Sequence, residues 1–517
     1  MHRSTARAAG RVSAEAAAIA LIAVSAAFRT AVGWAAGLCY GESFYFSCAL
    51  HPSLSYFDHP PLAILLGALG LTIAGEPGPL AVRLPFIAMF AGTTWLMFLL
   101  GRRLFGPWPG FYAALALNLA PLFTLSVGIF LQPDGPLMLF WLATVWCLAR
   151  VLLEPADRRP YLWWIAAGAT LGLAMLSKYS AALLVPGAGA WILARAEQRR
   201  WLRHPAPWLA LGVAALIFSP VIVWNARHQW ISFLWQGKRG VEFRGIHLDW
   251  LLHNIGGQAV ELFPWIWLPL VIELYRCFRR GAAPERQLIG WLSVTPIVLF
   301  TAVAAYAPIG NHFHWGSPGY LLLFLPLGET IDRALRAAPQ RRWWLGAAVA
   351  ASLLLMSAAA SHTATGWLTN VGPRWLTARL AAVDDPTTEC IDYTALEDAL
   401  RRHGLLDRRD LFVFADRWYQ AGKLDYALKG RMPVLCLHPS DPRSYAFFDS
   451  SRRWLGKDGL LVTAKKSSRE VIDAYAGYFE GFAFLDQVTV TRGGRPEIRL
   501  YLYLGQRLRR PYPQPYG

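Results

Sequence analysis

Asp58 and His59 stand side by side in "LSYFDHPPLAILL" (54–66), and two prolines follow at once. Prolines cannot continue a helix from before them, so they fix the backbone that presents the pair. The same residues also read as a plain turn. Glu42 in "YGESFYF" opens a short segment where a carboxylate favours the helix dipole. Asp134 lies between Pro133 and Pro136 at the start of an apolar run, and Lys178 in "LSKYSAALLVPG" joins two such runs by a very short turn. Asn225, His228, His312 and His314 complete the set. Two histidines at i, i+2 without a partner pattern suit a structural or substrate contact better than a metal. In chemical terms the set offers carboxylates that can take a proton, a lysine that can hold an anion, and imidazoles that can do either.

The elements that position these residues are apolar. The chain has 517 residues, 55% hydrophobic and 16% charged, with mean hydropathy +0.32. The charged share falls well below the roughly 25% of soluble domains. Eleven runs have the length and composition to cross a hydrocarbon core of about 30 Å: 14–36, 80–100, 110–127, 134–152, 161–176, 180–195, 206–224, 257–276, 288–307, 316–334 and 343–361. The first run follows arginines as a signal peptide would, but it continues past Arg29 and reads as a retained span. The 24 Trp and 19 Tyr suit interfacial belts as well as packing between helices.

The net charge of +17 reads as topology, with no nucleic-acid partner. The alternate loops "MHRSTARAAGR", "GRRLFG", "RVLLEPADRRP", "RAEQRRWLRHP", "RCFRRGAAPER" and "DRALRAAPQRR" are full of Arg, whereas the short loops of the other set hold almost none apart from Lys178. The positive-inside rule therefore places the amino terminus in the cytoplasm and everything after residue 362 outside. Sorted by side, Glu42, Asp58, His59, Asp134, Lys178, Asn225, His228, His312 and His314 all fall on the outer face, within a few residues of helix ends. Ionisable groups at membrane depth are costly and mark function by default. Arg29, inside the first span, could face the site or a neighbouring helix. Cys39 and Cys48, or Cys390 and Cys436, could pair oxidatively outside, although small buried residues are the simpler reading.

After 362 the texture is that of a soluble α/β domain. "DLFVFAD", "MPVLCLH" and "GLLVTAK" read as strands, "RWYQAGKLDYALKG" as a helix, and "FLDQVTVTRGGRPEIRLYLYL" as a hairpin about Gly-Gly. The closing "RPYPQPYG" reads as a disordered tail. No repeat, P-loop, dinucleotide glycine motif or CxxC metal spacing occurs. The expected division is a transmembrane unit, 1–362, with a first outer loop at 37–79, followed by an extracytoplasmic domain, 363–517.

"GESFYFSCALHPSLSYFDHPPLAILLGALG" resembles the first outer loop of bacterial GT-C glycosyltransferases of the protein-mannosyltransferase-like group, which includes relatives of the aminoarabinose transferase. "AVRLPF", "GRRLFG", "QPDGPLMLFW", "LSKYSAALLVPG", "FSPVIVWNARHQWISFLWQ" and "GNHFHWGSPGYL" follow in the order of that group, and the likeness runs through nearly the whole chain. It implies an all-α polytopic bundle of about eleven transmembrane helices, GT-C type, with a small C-terminal α/β domain, in a bacterial inner membrane. It also implies inverting transfer of a sugar from a polyprenyl-phosphate donor to a lipid, glycan or protein acceptor on the outer face, among membrane lipids. Such a displacement needs a base for the incoming hydroxyl and cations or hydrogen-bond donors on the leaving phosphate. The family's first loop usually carries Asp-Glu where this chain has Gly41-Glu42. Glycine cannot take a proton, so Glu42 is expected as the base, with Asp58 orienting the acceptor. The resemblance implies His59 against the phosphate in place of a lysine, Lys178 as a second phosphate contact, and Tyr56, Tyr179, Asp134 and His314 in the binding site. No cofactor is expected; a divalent metal would require Glu42, Asp58 and the 312–314 histidines to meet. The competing readings are a lipid or glycan transporter, whose ionisable groups would lie nearer the midplane, and a relative that binds carrier without catalysis.

Overall fold

The computed structural model describes residues 12–154, 159–310, 312–371, 375, 377, 385–464, 469–513 and 515–516. The first half is helical: α1 (Ala14–Ala35), α2 (Tyr40–Leu50), α3 (Leu62–Ala74), α4 (Pro79–Phe105), α5 (Pro107–Leu119), α6 (Asp134–Leu152), α7 (Pro160–Ser177), α8 (Leu184–Ala194) and α9 (Pro205–Arg227). Next come α10 (Ile231–Val241), α11 (Leu248–Leu262), α12 (Pro264–Cys277), α13 (Pro284–Ala304), α14 (Ser317–Ala337) and α15 (Arg342–Thr365). Many start with proline, whose missing N–H costs nothing in the first turn.

Among the described residues seven helices alone are long and apolar enough to cross a membrane, and the α11–α12 pair makes an eighth. The protein is a multi-pass membrane protein. The other three expected runs are shorter, interrupted or more polar: α5, Tyr179–Ala194 and α14. Two expectations change. The 257–276 span straddles the break between two helices bent by 111°, because Pro264 excludes helical backbone at Phe263, which adopts φ +64°. The 110–127 span stops at Leu119, before Pro121, and continues as a wide turn over Leu122–Val127. The 225–256 loop also contains the helix α10.

Gly101 and Gly110 let α4 and α5 touch: a Cβ on Gly110 would lie 2.5 Å from the Phe98 carbonyl oxygen. Without a hydrophobic drive between helices in lipid, such close approach supplies the packing. Arg29 faces helix neighbours, donating to Asn118 (2.7 Å) and lying 4.3 Å from the centroid of Phe90.

The C-terminal part is a five-stranded sheet ordered β2-β1-β3-β5-β4, with β1 (Leu411–Ala415), β2 (Val434–Cys436), β3 (Asp458–Thr463), β4 (Phe479–Arg492) and β5 (Arg495–Leu508). β1 runs parallel to β2 and β3, and β3 pairs antiparallel with β5. The β4–β5 hairpin turns at Gly493-Gly494, both at positive φ, as a two-residue turn demands. A helix at Trp418–Ala427 covers one face and docks on α2 so closely that a Cβ on Gly422 would stand 2.6 Å from the Phe44 nitrogen. One apolar cluster therefore runs from Phe44, Phe46 and Ile64 of the first outer loop through Leu424 to Val413 and Leu460 of the sheet.

The tail reading is corrected. Tyr512 bonds to Ser451 through its backbone N–H, and the ring of Tyr516 stacks on Phe57 at 4.9 Å; Gln514 and Gly517 lie outside the described residues. The cysteine expectation is corrected as well. Cys39 joins Cys390, linking the first outer loop to the C-terminal part, whereas Cys48 and Cys436 are free and buried. Local spacing could not show a bridge across 351 residues.

Candidate functional site

Asp58 is held from three sides. Its carbonyl accepts from Gln236 Nε2 at 2.5 Å, the neighbouring Phe57 N–H donates to Ser444 Oγ, and Asp58 Oδ2 accepts from Arg443 Nη1 at 3.1 Å. Asp58 is 1% exposed, yet among the described residues its Oδ1 has no hydrogen-bond partner. Arg443 lies between two indoles, 3.7 Å from Trp418 and 5.2 Å from Trp235, an arrangement that holds a guanidinium plane by cation–π attraction. Three separate segments thus meet around Asp58: the 51–61 loop, α10 and the 438–448 loop.

Lys178 is the extended residue between α7 and the turn at Tyr179–Leu183. Its Nζ donates to both oxygens of Asp134, at 2.9 Å each. Tyr179 shares a 2.7 Å hydrogen bond with Ser232 of α10 and packs edge-on against Phe233. Asp134 and His314 line a cavity of about 260 Å³ with Ser126, Gln132 and Glu261.

Three of these histidines have lowered pKa values. Burial pushes His59 down to about 4, with Asp58 opposing and Lys178 adding to the fall. Burial likewise takes His314 to about 3, and burial followed by Arg239 takes His312 to about 4. His59 packs edge-on to Tyr45, and among the described residues its Nδ1 has no hydrogen-bond partner. His312 Nε2 accepts from Arg239 at 2.7 Å, and Arg239 lies over Trp235 and Trp315. The resemblance sets His59 against the phosphate where relatives carry a lysine; its lowered pKa favours a neutral imidazole that can offer a hydrogen bond there. Lys178, Arg443 and Arg239 carry the positive charge.

The structure brings Asp58, His59, Asp134, Lys178, Tyr179, His312 and His314 to one end of the bundle beneath the C-terminal part. Glu42 belongs to a different network. Its Oε1 accepts from Arg83 Nε (2.8 Å) and the Leu131 N–H (3.1 Å), and its Oε2 from Arg83 Nη2 (2.5 Å) and the Cys39 N–H (3.1 Å). Four donors use the four lone-pair sites of a carboxylate, so the expected base has none left for a substrate proton. The Tyr56 hydroxyl bonds to the carbonyls of Cys48 and His51 and accepts from the Ser53 N–H, which closes the loop on itself. His228 stacks on Trp224 at 4.1 Å, and Asn225 donates back to Val221. Gly41 has open space around its would-be Cβ.

Sequence reasoning missed Arg443, Gln236, Arg239, Trp235 and Glu261. α10 had a usable signal, since Ser232, Trp235, Gln236 and Arg239 recur at i, i+3 and i+4 on one helical face. Arg443 had none, being an arginine in a turn 385 residues from its partner. Among the described residues no three His, Cys, Asp or Glu side chains group as metal ligands would.

A family model described as dolichyl-phosphate-mannose-protein mannosyltransferase matches residues 58–224. The lipid A galacturonosyltransferase RgtD of Rhizobium johnstonii is 25% identical over 295 residues, 54% of this chain and 58% of that protein. The match thus spans under two thirds of that relative. The crystal structure of ArnT from Cupriavidus metallidurans in the apo state superposes with a TM-score of 0.64 at 16% identity, covering 95% of this chain and 98% of that one. ArnT bound to undecaprenyl phosphate gives 0.60 at 15% identity, over 94% and 97%. The chain has the GT-C fold, with a membrane helix bundle and a small C-terminal sheet, as its resemblance to the aminoarabinose-transferase-like group implied.

Proposed function

We propose that this chain is a glycosyltransferase that moves a sugar from a polyprenyl-phosphate donor to a hydroxyl of a lipid acceptor, by inverting displacement at the outer face of a bacterial inner membrane. The observation that carries the reading is Asp58: a buried carboxylate with one oxygen tied to Arg443 and the other open, at a membrane-bundle end that also holds Lys178 and Arg239. Asp58 Oδ1 takes the proton of the acceptor hydroxyl as its oxygen attacks the anomeric carbon. The bond to phosphate breaks, and the carrier phosphate leaves with the electron pair. Arg443 and Lys178, held by the Trp235–Trp418 sandwich and by Asp134, meet the charge that develops on it. Neutral His59 and His314 donate hydrogen bonds to the donor, and Tyr179 flanks it. Glu42 acts as a positioning residue by fixing α2 to α4. No step uses a metal.

The arginine-rich loops support a cytoplasmic amino terminus and a C-terminal part outside, and the Cys39–Cys390 bridge agrees with an oxidising compartment there. The lipid acceptor is supported by the name of one relative, the lipid A galacturonosyltransferase. The Gly41 departure supports a second reading, a carrier-binding relative without catalysis. One experiment separates them: purified protein is incubated with radiolabelled polyprenyl-phosphate sugars and an envelope lipid extract. Label entering the lipid fraction is the expected result. Carrier binding without transfer from any donor favours the second reading, and the absence of both overturns the proposal.

A further inference from the structure

The opposite end of α13 and α14 carries a basin of about 590 Å³ with an unusual lining. Six arginines face it: Arg276, Arg279, Arg280, Arg286, Arg333 and Arg341. Two carboxylates behind them take part of the charge. Glu273 pairs with Arg276 (2.6 Å) and Arg286 (2.9 Å), and Glu329 pairs with Arg333 (3.0 Å) and Arg286. Arg279, Arg280 and Arg341 have no carboxylate partner among the described residues. Solvated arginines alone would be an ordinary consequence of topology. This basin, however, adjoins a second cavity of about 370 Å³ that is almost wholly apolar, lined by Leu119, Ile266, Ile331, Leu345 and Ala348 between α5, α12, α14 and α15. Ala334 and Arg341 line both. Trp344 lines the apolar cavity at its Arg341 end in the sequence, and Trp343 and Trp344 are 83% and 78% exposed, as rings at headgroup level are.

We propose that the two cavities form one binding site for an anionic phospholipid, with its phosphate among Arg279, Arg280 and Arg341 and an acyl chain in the groove beside Ile331 and Ala348. Charge selects the headgroup, and the continuity of the groove selects an amphiphile over a free anion. Basic pockets between helices at the membrane surface take acidic headgroups for this reason. The site stands apart from the Asp58 region and does not depend on the reaction proposed there.

The test is thermal melting of the purified full-length protein in neutral detergent, titrated with dioleoyl phosphatidylglycerol, with dioleoyl phosphatidylcholine, or with inorganic phosphate. Phosphatidylglycerol alone should raise the melting temperature. The Arg279→Gln/Arg280→Gln/Arg341→Gln protein should need roughly tenfold to a hundredfold more of it, and the corresponding triple Lys protein should recover most of the response. Ala348→Phe, which fills the groove, should weaken the phosphatidylglycerol response with the arginines intact. Equal stabilisation by phosphatidylcholine would overturn headgroup recognition, and equal stabilisation by inorganic phosphate would overturn the lipid assignment. An undiminished phosphatidylglycerol response in the triple Gln protein would overturn the site.

Discussion

Two buried carboxylates of the 37–79 segment, sixteen residues apart, have opposite surroundings. Glu42 is saturated by Arg83 and two backbone amides, beside the Cys39–Cys390 bridge and close to Lys423, whose ammonium caps the carbonyls of Leu38 and Ile391. Asp58 keeps one oxygen open, and its partner Arg443 is held by aromatic faces. The first arrangement is a knot that fastens the loop to the bundle and to the C-terminal part. The second retains unspent capacity to accept a hydrogen bond, which is what a reacting group needs and a structural one does not. The family motif pointed to Glu42 as the base; its four donors support the proposal that it positions the loop instead.

The contrast can be broken most severely at the knot. Glu42→Gln leaves Arg83 buried beside a neutral amide and should cost about 3–5 kcal/mol, read as a large fall in melting temperature. Unchanged melting would remove the knot from the account. Cys39→Ser opens a bridge that spans 351 residues and should cost about 2–4 kcal/mol. A reductant should reproduce that loss in the parent protein and add nothing in the variant.

A gentler probe sharpens the Asp58 side. His59 sits at about 4 in the folded protein against an ordinary value of 6.5, so between these values the unfolded chain binds the extra proton. Its neutral form contributes full stability above pH about 6.5, and that contribution is lost as the pH falls toward 4. Melting temperature should therefore drop across this window, and His59→Gln should flatten the slope. An unchanged slope would mean that His59 is solvated and already charged in the fold.

The bundle was legible because twenty apolar residues between arginine clusters have few alternatives in lipid, and the sheet because Val413 and Leu460 sit in short apolar runs between turn residues. The bend at Phe263 was hidden because hydropathy ignores Pro264, although its effect on the preceding residue is local and general. That Lys178, Asp134, His59 and His314 lie near one another was legible from asking which ionisable groups crowd one face. Arg443 and the Cys39–Cys390 bridge were not, since both are made by long-range docking of the C-terminal part on α2. Tyr516 follows the same logic: its proline-rich tail looked solvated until Phe57 and Phe447 provided a surface.

The central claim is that Asp58, and not Glu42, accepts the substrate proton. Sugar transfer from saturating polyprenyl-phosphate donor should be timed for Asp58→Asn, alongside its melting temperature. The account predicts a fall of at least about a hundredfold in transfer with the melting temperature nearly preserved. Transfer at the parent rate by well-folded Asp58→Asn protein would contradict it.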